Sequence, residues 1–369
     1  MRIALFTPFS PDIGGGSVQI REIVNELADL NIDWHYLART ATGGARRHWL
    51  GPPLTDLEIA WDLLARFGAM PGSRSAVCRI VDNLHADLFW VVGHRDGVSV
   101  AAELIRRGQR VHLTVHDDPI CMFRRSRRYR LLTPFMARQF SKIIKAARSV
   151  DVIGSNMRDL YAKKYHIASF PVYRYIPELP KFARNLRPNT LTVGHIGSVY
   201  HPEPLRLFLL ACQSYAEQSG RAFKVVRIGT SPELDLVADR QPEMFENHGE
   251  LEEAQALPLL ASCDFVYAMY PPGTKFKCFR RTSLPMKLST YIQAQRPIFA
   301  HTPNDSGLAD IVSKFGIGEV CCSNRIEDIR RHVDRLVNLQ IEPGQFEQVR
   351  RDLLGKQQVE QLRTHLGVP

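Results

Sequence analysis

The sequence predicts an α/β chain of two Rossmann-like α/β/α domains facing an interdomain cleft. Three observations carry this. Short apolar runs alternate with amphipathic stretches twice over, as parallel strands joined by crossover helices require. Each half opens on a strand, a glycine turn and a helix, at Gly14-Gly15-Gly16 and again at Gly197-Ser198. Between the halves, residues 176–188 carry Pro177, Pro180 and Pro188 among charges, the composition of a linker. At 369 residues, 44% of them hydrophobic, the chain has the length and apolar content for a full core in each half.

Residues 2–7 read as a buried strand, and residues 17–30 as a helix with Ile20, Ile23, Val24 and Leu27 on one stripe. The glycines between them do not spell G-x-G-x-x-G, so the dinucleotide fingerprint is absent. They serve the turn alone, or they bring backbone close to a ligand. Residues 34–37 form the second strand and 39–53 a Gly- and Arg-rich loop; 54–67 are helical. A buried strand over 87–92 ends at Gly93-His94, a helix covers 98–107, and the strand 111–115 runs into His116-Asp117-Asp118-Pro119. Ligands of open α/β sheets sit beyond the carboxyl ends of strands, so His116 and Asp117 are candidate functional residues. The alternative is that the aspartates cap a turn and His116 packs. Residues 150–154 are a strand, Ser155 offers a hydroxyl cap to the helix 156–164, and 172–175 close the first half.

The second half repeats the alternation. Strands fall at 191–196, 223–228, 244–249, 264–269, 297–300 and 318–321, and helices at 202–218, 252–262, 305–314 and 326–339. One long helix is expected over 346–366. The stretch 281–300, RTSLPMKLSTYIQAQRPIFA, reads as a loop, a short helix and a buried strand. Pro285 suits a first helical turn because its missing N–H is not needed there. Lys287 and Thr290, three apart, share one face. A lysine beside free backbone N–H groups and the positive helix end makes a site for phosphate. Lys275, Lys277, Arg280 and Arg281 add charge in the loop before it.

Pro285, Lys287, Leu288, Tyr291, Pro297 and Ile298 resemble the donor-site segment of GT-B glycosyltransferases, most closely the retaining family GT4. The family's E-x7-E glutamates fall on Thr282 and Thr290. The run VGHIGSVYHPEPLRLFLLAC resembles the opening of a GT4 C-terminal domain, whose Arg and Lys are missing here; Arg206 lies one turn into the helix as a substitute. The segment SVDVIGSNMRDLYAKKY and the His-Asp pair at 116–117 also resemble the family. The resemblance implies the GT-B fold, with an acceptor-side domain at 1–177, a linker at 178–189 and a donor domain at 190–345. It implies that residues 346–369 pack back on the first domain. It further implies a nucleotide-diphosphate sugar as donor, a glycan or lipid-linked acceptor, and no metal or other cofactor. His116, Asp117 and Lys287 would then be catalytic. Gly15, Gly16, Gly197, Ser198, Arg206, Gly249, Thr282 and Thr290 would bind the donor.

Composition narrows the setting. No apolar run is long enough to cross a bilayer, and the opening residues are expected to be a strand rather than a secretory signal. Seven cysteines, an odd number without paired or zinc-like spacing, argue against a disulfide framework or zinc site and suit the cytoplasm. A net charge of +10 points to an anionic partner. Its densest cluster runs from Arg124 through Arg130 and on to Arg148, with Phe135, Phe140, Ile143 and Ile144 interleaved. An anionic membrane surface or a solvated helix face both fit; no nucleic-acid motif accompanies it. Two function classes stand: a glycosyltransferase building cell-surface polysaccharide or glycolipid, or a GT-B-shaped binding partner without turnover. A non-hydrolysing sugar epimerase shares the fold but needs acid and histidine residues that the sequence does not place.

Overall fold

The computed structural model describes residues 1–12, 15–67, 76–183, 185–342 and 344–367. They form two units, Met1–Ile176 with Gly355–Pro369, and Pro177–Leu354. Gly14 of the first glycine turn lies outside the described residues.

The first unit is built on seven strands: β1 (Arg2–Thr7), β2 (Asn31–Tyr36), β3 (Arg47–Trp49), β4 (Leu88–Val92), β5 (Val111–Val115), β6 (Ser149–Val152) and β7 (Phe170–Pro171). They lie in the order β3-β2-β1-β4-β5-β6-β7, every pairing parallel. LFWVV of β4 is buried throughout and is a continuous apolar run, as a strand covered on both faces requires. VHLTV of β5 is also buried throughout although it alternates, its His112 and Thr114 being satisfied by Ser149 and Asp151. The connecting helices are α1 (Gly15–Glu26), α2 (Asp56–Ala65), α3 (Ala76–Asp82), α4 (Asp96–Arg106), α5 (Pro119–Arg125), α6 (Thr133–Ala146) and α7 (Ser155–Tyr165). Thr55 and Glu58 close a capping box on α2.

Three expectations change here. The loop expected at 39–53 contains β3, a three-residue edge strand with no apolar run to signal it. The strand expected at 172–175 is β7, two residues earlier. Ser155 does not cap α7; it is its first residue, and Gly154 holds the cap position.

The second unit has six parallel strands: β8 (Thr190–Ile196), β9 (Ala222–Ile228), β10 (Phe245–Asn247), β11 (Phe265–Met269), β12 (Ile298–His301) and β13 (Gly318–Cys321), ordered β10-β9-β8-β11-β12-β13. Around them lie α8 (Pro202–Gln218), α9 (Pro232–Ala238), α10 (Glu253–Ala261), α11 (Lys277–Thr282), α12 (Lys287–Ala294), α13 (Gly307–Phe315), α14 (Ile326–Val337) and α15 (Gln345–Leu354). Phe208 anchors the core, its ring 4.2 Å from that of Tyr267 and 4.7 Å from that of Phe299.

The single helix expected over 346–366 is two, broken at Gly355. The part before the break, α15, belongs to the second unit, and α16 (Lys356–Leu366) to the first. There Val359, Leu362 and Leu366 share a core with Leu27, Trp90 and Phe170. In each sheet the chain steps outward from a central strand and then returns to that strand's other side, between β1 and β4 and between β8 and β11. Such reversals open a crevice at the carboxyl ends of the strands, where ligands of this architecture bind.

Candidate functional site

In the second unit, adjacent strands β8, β9 and β10 lead into Gly197, Gly229 and Gly249, with φ of 72°, 85° and 66°. A side chain in this left-handed region costs about 1–2 kcal/mol, so glycine is the residue that fits. The turns are tied in series: Gly229 N donates to Gly249 O at 2.6 Å, and Gly197 N to Ile228 O at 2.8 Å. A β-carbon on Gly229 would lie 3.3 Å from Gly197 N, so backbone approaches backbone here. Bare peptide groups are thereby presented beside the crevice.

Lys287, the first residue of α12, turns its Nζ to this ladder, donating to the Ser198 carbonyl and lying 3.4 Å from His195 Nε2. Desolvation pulls the ammonium down to about 7. His195, buried on β8, has Nδ1 3.3 Å from Tyr267 O and Nε2 3.0 Å from Gly197 O. Burial first, and then the Lys287 charge, hold its pKa well below the ordinary histidine value. Tyr291 pins the same strands, donating to Tyr267 O at 2.8 Å and accepting from Ile196 N at 3.3 Å. The free N–H groups expected at the start of α12 are partly spent: Leu288 N bonds Pro285 O and Ser289 N bonds Met286 O. The Gly197 and Gly229 N–H groups are spent as well, so the anion-binding character rests on the ammonium more than on the helix end.

The other candidate residues are committed in ways the sequence did not signal. Thr290 Oγ1 donates to Glu253 Oε1 at 2.8 Å, and Gln293 Nε2 reaches the same oxygen at 3.1 Å. A carboxylate thus stands beside the threonine, supplied by the first residue of α10. Thr282 Oγ1 is turned back onto Cys278 O within α11. Arg206 is half-buried on α8 and held by both oxygens of Glu203, at 3.0 and 2.8 Å. The basic stretch expected as a loop is helical from Lys277, and in this helix, α11, Arg280 is buried and bonded to both oxygens of Asp305 and to Gly273 O. The Ser198 side chain is exposed.

In the first unit the crevice between β1 and β4 gathers a second set. Gly15 and Gly16 begin α1, and a β-carbon on Gly16 would touch Phe9 at 3.3 Å and His116 Nδ1 at 3.7 Å. His116 follows β5, its Nε2 buried without a hydrogen-bond partner. Burial depresses its pKa against the opposing pull of Asp151 and Asp117. His94, just beyond β4, is depressed by burial in the same way and also senses Asp117. The capping role falls to Asp118 alone, which accepts from Cys121 N at 2.9 Å and from Tyr161 at 3.0 Å. Asp117 is left to the two histidines. On α6 the apolar side chains Met136, Phe140, Ile143 and Ile144 are all buried. They serve the core and are not offered to a lipid phase, while Arg124, Arg127, Arg128, Arg130 and Leu131 are exposed. Among the described residues no helix is long and apolar enough to cross a membrane.

His94, His195 and Glu253 are the residues that sequence reading passed over. His94 and His195 had a signal, a Gly-His pair at or near the end of a strand; Glu253, in a run of acidic residues, had none.

No family model and no curated protein matches the sequence. Solved structures match over the whole chain, and they first define a class. A lipopolysaccharide outer core galactosyltransferase, WaaB, in its apo form, shares 12% identity at TM-score 0.64, covering 100% of this chain and 99% of its own. The Anabaena protein HepE in complex with UDP shares 13% identity at TM-score 0.64, with 100% of both chains covered. Sucrose-phosphate synthase from Thermosynechococcus elongatus shares 11% identity at TM-score 0.65, covering 99% of this chain and 98% of its own. The class is an α/β protein of two doubly wound units. More particularly, the chain has the GT-B fold.

Proposed function

We propose that the chain is a glycosyltransferase that moves a sugar from a nucleoside-diphosphate donor to an acceptor hydroxyl. The observation that carries the reading is the Lys287 ammonium, held over the Gly197-Ser198 turn at the β8/β11 reversal. The physical demand is leaving-group stabilisation. As the bond from the sugar's anomeric carbon to the diphosphate oxygen breaks, its electron pair stays on the diphosphate. The Lys287 cation, held at the glycine turns, stabilises that charge where it develops. With front-face attack the acceptor oxygen forms the new bond and gives its proton to the departing phosphate, so configuration is retained. The ammonium takes the place of a metal, and turnover is expected to survive chelation.

Glu253 answers the absence of glutamate at position 290. Its carboxylate, oriented by Thr290 and Gln293, accepts the ribose hydroxyls of the nucleotide. A hydrogen bond to a charged acceptor contributes about 1.5–3 kcal/mol, against about 1 for a threonine hydroxyl, so the charged group is the better partner. In the first unit, Gly16, His94, His116 and Asp117 are assigned to the sugar and the incoming hydroxyl. The acceptor is a glycan or lipid-linked glycan of cell-surface polysaccharide or glycolipid synthesis. The exposed cations from Arg124 to Arg130 bring the protein to an anionic membrane surface by charge alone.

Nucleotide release from a panel of UDP-, GDP-, ADP- and TDP-sugars tests this. Purified protein is expected to release nucleotide from one of them, and Lys287→Ala to lower the rate at least a hundredfold. The commitment of Thr282 and Thr290 to protein partners favours a second reading, a partner subunit that binds without turnover. A donor that binds and is never split would establish it.

A further inference from the structure

We propose that His195 is the positioning residue for Lys287, its Nε2 holding the Lys287 ammonium at the Gly197-Ser198 turn where a diphosphate lands. The inference rests on the diphosphate site proposed above.

The geometry restricts how the imidazole can act. Each ring nitrogen faces a backbone carbonyl, Nδ1 that of Tyr267 at 3.3 Å and Nε2 that of Gly197 at 3.0 Å, and the Lys287 Nζ stands 3.4 Å from Nε2. A doubly protonated ring would satisfy both carbonyls but would put a buried cation against the Lys287 ammonium. The neutral ring with its proton on Nδ1 donates to Tyr267 O and leaves the Nε2 lone pair for the ammonium, whose positive charge offsets the approach of Nε2 to Gly197 O at 3.0 Å. In that tautomer Lys287 spans two acceptors, His195 Nε2 and Ser198 O, which fixes a long flexible side chain in one rotamer. Holding it there in advance removes ordering entropy from anion binding.

The groups around the pair leave this arrangement undisturbed. From β9 the nearby cation is Arg227, already paired with Asp235. From β11 comes Tyr267, whose hydroxyl is turned to His301. α12 contributes Tyr291, whose hydroxyl is occupied on the backbone, and α10 contributes Glu253, occupied by Thr290 and Gln293. α8 contributes Glu203 and Arg206, paired with each other. Among the described residues His195 is therefore the ring that reaches the ammonium.

The test is calorimetric titration of UDP, GDP, ADP, CDP and TDP into the full chain, with whichever binds tightest used throughout. His195→Leu, which keeps the volume and loses the acceptor, is expected to weaken binding about tenfold. His195→Gln, which restores an acceptor near the Nε2 position, is expected to stay within about threefold of the native protein. In a Lys287→Ala background, His195→Leu is expected to change nothing further, because the two act through one contact. Thermal melts check that each variant folds. If His195→Leu weakens binding equally with and without Lys287, or if neither His195 variant weakens it, the positioning role is overturned. If Lys287→Ala leaves the affinity of the native protein unchanged, or if no diphosphate binds it, the diphosphate site itself is at fault.

Discussion

At the scale of single residues, the proposed nucleotide site depends on two charges, the Lys287 ammonium and the Glu253 carboxylate. Thr290 stands where a glutamate was expected, and its hydroxyl draws in the Glu253 carboxylate at 2.8 Å. If Glu253 accepts ribose hydroxyls, the native protein should prefer a ribonucleoside diphosphate over its 2′-deoxy form by about tenfold or more, the worth of one charge-assisted bond. Glu253→Gln should lose most of that preference, and paired calorimetric titrations read it directly. Equal affinity of the native protein for both forms would show that the carboxylate serves only α12. Asp305, the other acidic residue near the site, is excluded from this role because both its oxygens hold Arg280.

At the scale of elements, the reversal between β1 and β4 carries a local cost. Arg95, between β4 and α4, sits at φ 41°, a conformation that side chains rarely adopt. Asp96 begins α4 at 1% exposure, one carboxyl oxygen accepting from Leu54 N at 3.2 Å and the other buried without a hydrogen-bond partner. Burial pushes its pKa up to about 6. The folded value lies above the unfolded one, so the stability this acid contributes is present below about pH 4 and lost as pH rises through 6. Asp96→Asn is expected to stabilise the protein at pH 7.5 by at most about 3 kcal/mol and to give no advantage at pH 4. Urea unfolding at the two pH values measures this, and equal effects at both would contradict it. The strands and helices of each sheet were legible because buried parallel strands are continuous apolar runs and their helices carry a clear stripe. β3 and β7 were not, being too short to show a pattern. The break at Gly355 was hidden because apolar spacing continues through it from Val349 to Leu366. For the site, Lys287, Gly197 and His116 were legible from their place after a strand or at the start of a helix. The pairing of Glu253 with Thr290 was not, because it joins helices 37 residues apart in sequence.

At the scale of the whole chain, a net charge of +10 is unevenly spread, and the burial of the apolar face of α6 decides how it is used. With Phe140, Ile143 and Ile144 in the core, the proposed attachment to lipid would rest on exposed arginines, each contributing about 1 kcal/mol at an anionic surface. Sedimentation with vesicles is therefore expected to need anionic lipid, to fall with added salt, and to be lost when Arg124, Arg127 and Arg130 are replaced by glutamine. Binding to neutral vesicles that resists salt would contradict a purely electrostatic contact.

The central claim is that a diphosphate is gripped by the Lys287 ammonium, and its depressed pKa offers the most direct test. An anion favours the charged lysine, so affinity should be greatest below about 7 and fall as pH rises past it, by up to about tenfold per unit. The measurement is the Kd of the tightest-binding nucleoside diphosphate from pH 6.5 to 9 for the native protein and for Lys287→Ala. A decline in the native protein that flattens in the variant is the expected result. Parallel curves, or affinity unchanged across the range, would contradict the account.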